Sequence, residues 1–269
     1  MRCYLTPRSP WLMMTDLGCL PVHGAGGYLI AQFLDNASNN RTDEWGGSVV
    51  NRSRFGLEVV KAVIKVFGEN VSVKVSPAGG YNDMGYIFHS AVMRRFLLIY
   101  LVRSMPLQET LDTYKYFLSE VNKLKPSYVT LVRFVAAQDP VIDGKLILYR
   151  YLHLVQYFFL GKPRGTVHDV IESYGSLLGS TKVVINAGLT PEEGAGLVAA
   201  GKVDAISLGK PFISHPDLVK RVGHGKPLDN PVRNEYVYGG PGGVGYTDYP
   251  EATYERELDW KGSIECLDL

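Results

Sequence analysis

From residue 51 to residue 222 the chain alternates helix-period segments with short valine-rich runs, and this alternation constrains the fold more than any other feature. Asn51–Phe67 places Phe55, Val59, Val60, Val63, Ile64 and Phe67 at the spacing of one buried helical face. Val71–Ser76 follows, bounded by Gly68 and Pro77. Leu107–Leu124 repeats the helical pattern through Leu107, Leu111, Tyr114, Leu118, Val121 and Leu124. A strand-like Tyr128–Arg133, a helix around Val167–Leu178 and a strand-like Lys182–Asn186 come next. Thr190–Gly201 opens with helix-start chemistry: Thr190 as N-cap, Pro191 in the first turn, Glu193 completing a capping box, and Gly201 where the helix should stop. Val203–Leu208 reads as the next strand and Asp217–Val222 as a short last helix. Strands alternating with helices predict an α/β protein with a parallel sheet, either doubly wound or closed into a (β/α) barrel. Periodicity leaves that choice open.

Composition excludes several classes of function. The 269 residues carry a formal net charge of +1 with no block of like charge, which gives no electrostatic case for nucleic acid. An apolar content of 46% argues against disorder. Cys3, Cys19 and Cys266 form no CxxC pair, so neither a disulfide framework nor a zinc site is expected, and a reducing, cytoplasmic setting fits. The most apolar stretches are Phe96–Val102 and Leu146–Leu160, the second broken by Arg150 and His153. Neither reaches the ~20 residues of a spanning helix, and Trp11–Met14 is too short for a signal core. A soluble protein without membrane contact is expected.

The densest chemistry lies in Val22–Leu34, where Gly24, Gly26 and Gly27 mark a strand-to-helix turn at which backbone must approach something closely. His23 and Tyr28 flank that turn, as a polarising donor and a proton donor. A lone histidine or tyrosine would be read as a structural hydrogen-bonder; the pair on a glycine-rich strand end invites the catalytic reading. Asn186-Ala-Gly188 and Leu208-Gly-Lys-Pro211 also end strands, where backbone N–H groups can face a phosphate. As a pair separated by one helix they match the phosphate site of many barrels, with Lys210 adding positive charge. Lys74 sits inside an otherwise apolar strand, which is either snorkelling or the mark of an anionic partner in a barrel mouth.

At these residues the sequence resembles the old yellow enzyme family of FMN-dependent NADH:flavin oxidoreductases. The resemblance is carried by His23–Leu34, Asn39–Ser48, Asn51–Arg54, Val75–Pro77, Asn186–Gly188, Ser207–Gly209 and Gly245–Pro250. It implies a (β/α)8 TIM barrel with FMN at its C-terminal mouth, of which about the C-terminal half is recognisable. It further implies hydride transfer from NADPH or NADH through FMN to the activated C=C bond of a small-molecule enone or enal. His23 matches the residue that hydrogen-bonds the substrate carbonyl and borders the flavin, and Tyr28 the one that protonates the α-carbon. Lys74 matches the basic residue at the flavin's pyrimidine edge; Gly188, Gly209 and Lys210 match the phosphate cradle, and Tyr238 an aromatic at the flavin rim. A homo-oligomer is compatible with this reading.

The chain also departs from the pattern. Gly26 stands where Asn or His usually supplies a second carbonyl donor, and Lys74 and Lys210 stand where Arg is common. Residues 1–22 resemble nothing in the family, and the match, covering 23–250, is interrupted at 86–104 and 145–161. Removing Tyr86–Ser104 joins Gly85 to Met105 in continuous family sequence, and removing Lys145–Gly161 joins Gly144 to Lys162. Gly-Lys recurs at 144–145 and 161–162, and GGTAAG can encode that pair with a splice-donor-like GTAAG. Both stretches therefore read as translated introns, with 1–22 from a wrong start and 251–269 as a C-terminal tail. Genuine loop insertions are the alternative. Two other functional readings stand beside the ene reductase: an inactive piece of such an enzyme that cannot hold FMN alone, and a flavin-free phosphate-binding barrel such as an aldolase or isomerase.

Overall fold

The computed structural model describes residues 19–80, 86–88, 102–135, 165–237 and 241–255. Five parallel strands form its sheet: β1 (Leu20–Gly24), β2 (Val71–Val75), β5 (Tyr128–Val132), β6 (Lys182–Asn186) and β7 (Ala205–Ser207), hydrogen-bonded in that order. Between β2 and β5 the chain makes a separate antiparallel pair, β3 (Tyr86–Phe88) with β4 (Val102–Ser104). Helices α1 (Leu29–Leu34), α2 (Val49–Phe67), α3 (Leu107–Lys123), α4 (Val170–Tyr174), α5 (Pro191–Ala199), α6 (Lys210–Ser214) and α7 (Leu218–Gly223) accompany them, with 3₁₀ turns at Gly175–Leu178 and Asn234–Tyr236. Every neighbouring pair in the main sheet is parallel, and its five strands follow one another in chain order with only the β3–β4 pair intervening, the order of a barrel wall. Among the described residues no helix is long and apolar enough to cross a membrane.

The two faces of the sheet differ in chemistry. Alternation puts Val22, Val73, Val75, Val129, Leu131, Val183 and Ile185 on one face, all buried under the helices. Burying each such side chain stabilises the fold by about 1.5–3 kcal/mol relative to leaving it in water. The opposite face carries His23, Ser72, Lys74, Tyr128, Thr130, Asn186 and Ser207, with Val132, Val184 and Ala205 among them. A parallel sheet covered by helices on both sides would be apolar on both. A mixed face of this kind, on strands that pair in chain order, fits the inner wall of a barrel rather than a doubly wound sheet.

Local chemistry explains where the helices lie. Ser48 caps α2 by accepting from the Asn51 N–H, and Gly68, at φ 66°, ends it. On α2 the predicted Phe55, Val59, Val60, Val63 and Ile64 pack on the core, Val60 fully buried, and Ser53, Gly56 and Leu57 join them; Phe67 is exposed. Gly56 sets how closely the helices approach: a Cβ there would lie 2.8 Å from Phe117 and 2.9 Å from Ile30, so glycine lets α2 close on α1 and α3. On α3, Thr110 and Thr113 are buried and Leu107 is exposed. The two hydroxyls are satisfied inside, Thr110 by the Met105 carbonyl and Thr113 by Arg52.

Arg52 knits these helices together. Its buried guanidinium donates to Leu34 O at 2.9 Å, Glu109 at 2.8 Å, Thr113 at 3.0 Å and the Gly47 carbonyl. The Asn39–Ser48 segment is held in the same manner, through Asn39 donating to Phe33 O and Trp45 O and through a Cβ-free Gly46 lying against Arg41. The sequence-derived boundaries shift in places. β7 is shorter than Val203–Leu208, α6 was not foreseen, and β1 begins at Leu20, inside the expected 1–22 leader. The expected 86–104 interruption contains the β3–β4 pair, whereas 145–161 lies outside the described residues. Residues 251–255 are docked: Asp217 accepts from Ala252 N at 2.8 Å and Tyr254 Oη at 2.5 Å.

Candidate active site

His23 and Lys74 occupy paired positions on adjacent strands, one residue before the C-terminal ends of β1 and β2, and both face the lumen. Gly24 permits the close packing behind them, since a Cβ there would lie 3.1 Å from the Lys74 carbonyl and 3.2 Å from Ile30. The Ala25 N–H donates to His23 Nδ1 at 3.2 Å, which makes Nδ1 an acceptor and leaves the ring proton on Nε2. Partial burial, then the neighbouring Lys74 cation, hold the His23 pKa below the ordinary histidine value. The imidazole is therefore neutral at pH 7 and presents an N–H donor.

The turn after β1 brings Tyr28 to this histidine. Gly26 and Gly27 both have positive φ, 60° and 74°, which glycine adopts without strain. Gly26 N–H donates to Ser76 Oγ at 2.8 Å and Gln32 Nε2 donates to Gly27 O at 2.8 Å, pinning both sides of the turn. The Tyr28 ring stands edge-on to His23 with centroids 5.1 Å apart and is 58% exposed, so its hydroxyl is open to a ligand. A Cβ at Gly26 would lie 3.6 Å from the Tyr28 ring and 3.9 Å from His23 Cε1. A side chain at 26 would thus enter the space between the two candidate catalytic residues, and glycine leaves that space open.

Lys74 is half-buried, and burial alone holds its pKa below that of an ordinary lysine. No hydrogen bond or ion pair to it occurs among the described residues. A partly desolvated cation with no carboxylate partner among the described residues is costly to keep, and it marks a place suited to an anionic acceptor.

The glycine turns lie at the far edge of the sheet. Asn186 and Ser207 are paired across β6 and β7, and Asn186 Nδ2 donates to Ser207 O at 2.8 Å, so Gly188 and Gly209 leave adjacent strand ends. Gly188 has φ 61° and is enclosed: a Cβ would lie 2.9 Å from Val135. Gly209 caps α6 in open space, and Lys210 Nζ donates to Asn234 at 2.8 Å. Four strand intervals separate β1 from β7, about 19 Å at ~4.8 Å per interval. The sheet thus brings His23, Tyr28 and Lys74 together at one end and Gly188, Gly209 and Lys210 together at the other. Tyr238 lies outside the described residues.

Sequence reading missed Arg133, the residue after β5. Its guanidinium donates to Ala187 O at 2.6 Å, to Gly188 O, and to both oxygens of Glu193 at 2.5 and 2.9 Å. Between them sits Ala187 at φ 85°, a conformation costing a non-glycine residue on the order of 1–2 kcal/mol. Glu193 is held below the ordinary carboxylate range, first by Arg133 and also by the Thr190 backbone N–H of the capping box. An arginine closing an apolar strand at the functional end of a barrel was the available signal.

Residues 18–112 match the model of the NADH:flavin oxidoreductase / NADH oxidase family. The chain is 33% identical over 240 residues to 12-oxophytodienoate reductase 7 of Oryza sativa subsp. japonica, covering 86% of this chain and 51% of that protein. It is 32% identical over 230 residues to a probable flavin mononucleotide-dependent alkene reductase of Leishmania infantum, covering 85% and 49%. Among solved structures, the old yellow enzyme from Trypanosoma cruzi superposes with a TM-score of 0.63 at 23% identity, over 88% of this chain and 50% of that one. Morphinone reductase does so with a TM-score of 0.62 at 23% identity, over 89% and 55%. The chain spans about half the length of the curated relatives it matches. By the family match over residues 18–112, these relatives and the shared parallel-sheet fold, the chain is similar to the NADH:flavin oxidoreductase / NADH oxidase family and to the old yellow enzymes.

Proposed function

We propose that this chain forms the substrate-polarising and phosphate-holding wall of an FMN-dependent ene reductase that uses NADPH or NADH and acts on an enone or enal in the cytoplasm. The observation that carries the reading is the pairing of a neutral His23, its Nε2–H placed to donate, with a Lys74 on the next strand that has no partner among the described residues. The residues fit FMN along one wall: Lys74 and His23 would border its ring, and the Gly188 and Gly209 turns with Lys210 would hold its phosphate. Bound FMN would accept hydride from the nicotinamide and deliver it to the β-carbon of the alkene.

The protein's own groups govern the other half of that reaction. His23 Nε2–H donates to the substrate carbonyl oxygen, and that bond strengthens as negative charge develops there. A neutral donor suits this role, because it need not exchange its proton with water between turnovers. Tyr28 Oη, exposed beside the histidine, delivers a proton to the α-carbon. With Gly26 adding no second donor, His23 carries the carbonyl alone; one such donor is worth on the order of 10²–10³ in rate. The purified chain is therefore expected to take up added FMN with a stoichiometric visible band, and to oxidise NADPH in the presence of cyclohexenone. Tyr28→Phe should retain the band and lose most of the rate. A colourless protein would overturn the cofactor reading, and an unchanged rate in a flavin-loaded Tyr28→Phe would overturn the proton-donor role.

A further inference from the structure

Arg133 directly follows β5, yet all three of its guanidinium nitrogens are engaged by the turn after β6 and the first turn of α5. Nε and Nη2 donate to the successive carbonyls of Ala187 and Gly188, and Nη1 and Nη2 fork onto Glu193 in the first turn of α5. Val135, two residues on, closes over Gly188 so tightly that a Cβ there would lie 2.9 Å away. Two successive carbonyls are thus drawn to one side of the turn, and Ala187 is held at a φ of 85° that it would not choose. With both carbonyls bonded to Arg133, neither oxygen is free to turn toward an anion at this turn.

We infer that Arg133 and Glu193 form a positioning clasp that fixes the Ala187–Gly188 turn in its anion-receiving form, giving this chain its preference for a phosphorylated flavin. This rests on the flavin reading given above. Arg133 acts through the turn and not as a phosphate ligand, since four of its five N–H groups already donate to carbonyls and to Glu193. Shape as well as charge is required: lysine would keep the cation but cannot span two carbonyls and a carboxylate at once.

The test compares FMN with riboflavin, which lacks the phosphate, by flavin-fluorescence titration of the full chain and of Arg133→Gln, Arg133→Lys and Glu193→Gln. Wild-type protein should bind FMN more tightly than riboflavin. Arg133→Gln and Arg133→Lys should each weaken FMN about tenfold or more while leaving riboflavin within about twofold, and Glu193→Gln should follow in the same direction. Riboflavin binding also reports that each variant is folded. An FMN-to-riboflavin ratio unchanged in Arg133→Gln overturns the clasp, and a ratio kept by Arg133→Lys shows that charge alone acts, which overturns it equally. If wild-type protein binds neither flavin, the flavin reading fails. Amide exchange at Gly188 and Leu189 then decides for the clasp separately: it should accelerate in Arg133→Gln, and an unchanged rate refutes the clasp.

Discussion

Replacing Lys74 by methionine should make the flavin-free protein more stable and a worse flavin binder, a combination that a structural lysine would not give. The side chain lies half-buried on the lumen face between His23 on β1 and Thr130 on β5, and burial disfavours its ammonium. Methionine keeps an unbranched chain of similar length and removes the desolvated charge. Changes of this kind commonly gain about 0.5–2 kcal/mol. Flavin affinity should fall about 10–100-fold, the loss expected when a charge-assisted hydrogen bond of about 1.5–3 kcal/mol is removed. The sign with pH follows from a folded pKa below the unfolded lysine value of about 10.4. The penalty is fully present below the folded pKa and disappears as pH rises through it toward the unfolded value. Urea unfolding followed by circular dichroism should therefore show the variant ahead of wild type at pH 7, with the gap narrowing in alkali. His23 should also titrate higher in the variant, since the Lys74 cation is the second cause of its depression. A variant less stable than wild type by 1 kcal/mol or more would refute the reasoning.

Two further outcomes test the frame around the site. Arg52→Met should cost about 3–5 kcal/mol in urea unfolding, because it strands the Leu34 and Gly47 carbonyls and removes the cation from Glu109; a loss under 1 kcal/mol would show the network to be dispensable. Tyr254→Phe should cost about 1–3 kcal/mol and raise the pH of acid unfolding. Burial pushes the Asp217 carboxyl up, but donors on Tyr254, Ala252 and Arg221 outweigh it and hold the pKa below the ordinary aspartate value. Its stabilisation is present above about pH 3.9 and is lost as pH falls through the folded pKa, so losing a donor starts that loss earlier. An acid titration superimposable on wild type would contradict it.

What the sequence made legible follows from where single residues carry their own signal. The parallel sheet was readable from valine-rich runs between helical periods, and β6 was located to the residue at Lys182–Asn186. His23, Tyr28 and Lys74 stood out because each is polar chemistry at or near the end of an apolar strand. On α2 the apolar stripe Phe55, Val59, Val60, Val63 and Ile64 was readable, but Ser53 and Gly56 were not, because they have no hydrophobic signature, although Gly56 sets the approach to Phe117. The threonines of α3 were overlooked for a related reason: a polar residue is buried only if a distant partner waits, and Arg52 lies 61 positions away from Thr113. Arg133 shows the same limit at the site itself. Its partners Ala187, Gly188 and Glu193 are more than fifty residues downstream, and only the β5–β6 pairing brings them within reach.

The two faces of the sheet also bear on what this wall can do without anything opposite it. Its apolar core lies between the strands and the helices, where Val73, Val129, Leu131 and Ile185 meet Phe117, Leu118 and Val121. The lumen face is mixed: His23 is exposed, whereas Ser72, Thr130 and Val132 are buried. Core burial is self-contained, while β1 and β7 remain edges among the described residues and present unpaired backbone groups. The two properties separate experimentally. The helix-backed core predicts cooperative unfolding of the isolated chain, and the open edges predict concentration-dependent association. Flavin binding should suppress that association only to the extent that ligand covers the lumen, since it leaves the backbone groups of both edges unpaired. Strand pairing, not lumen filling, is then the requirement for a closed barrel.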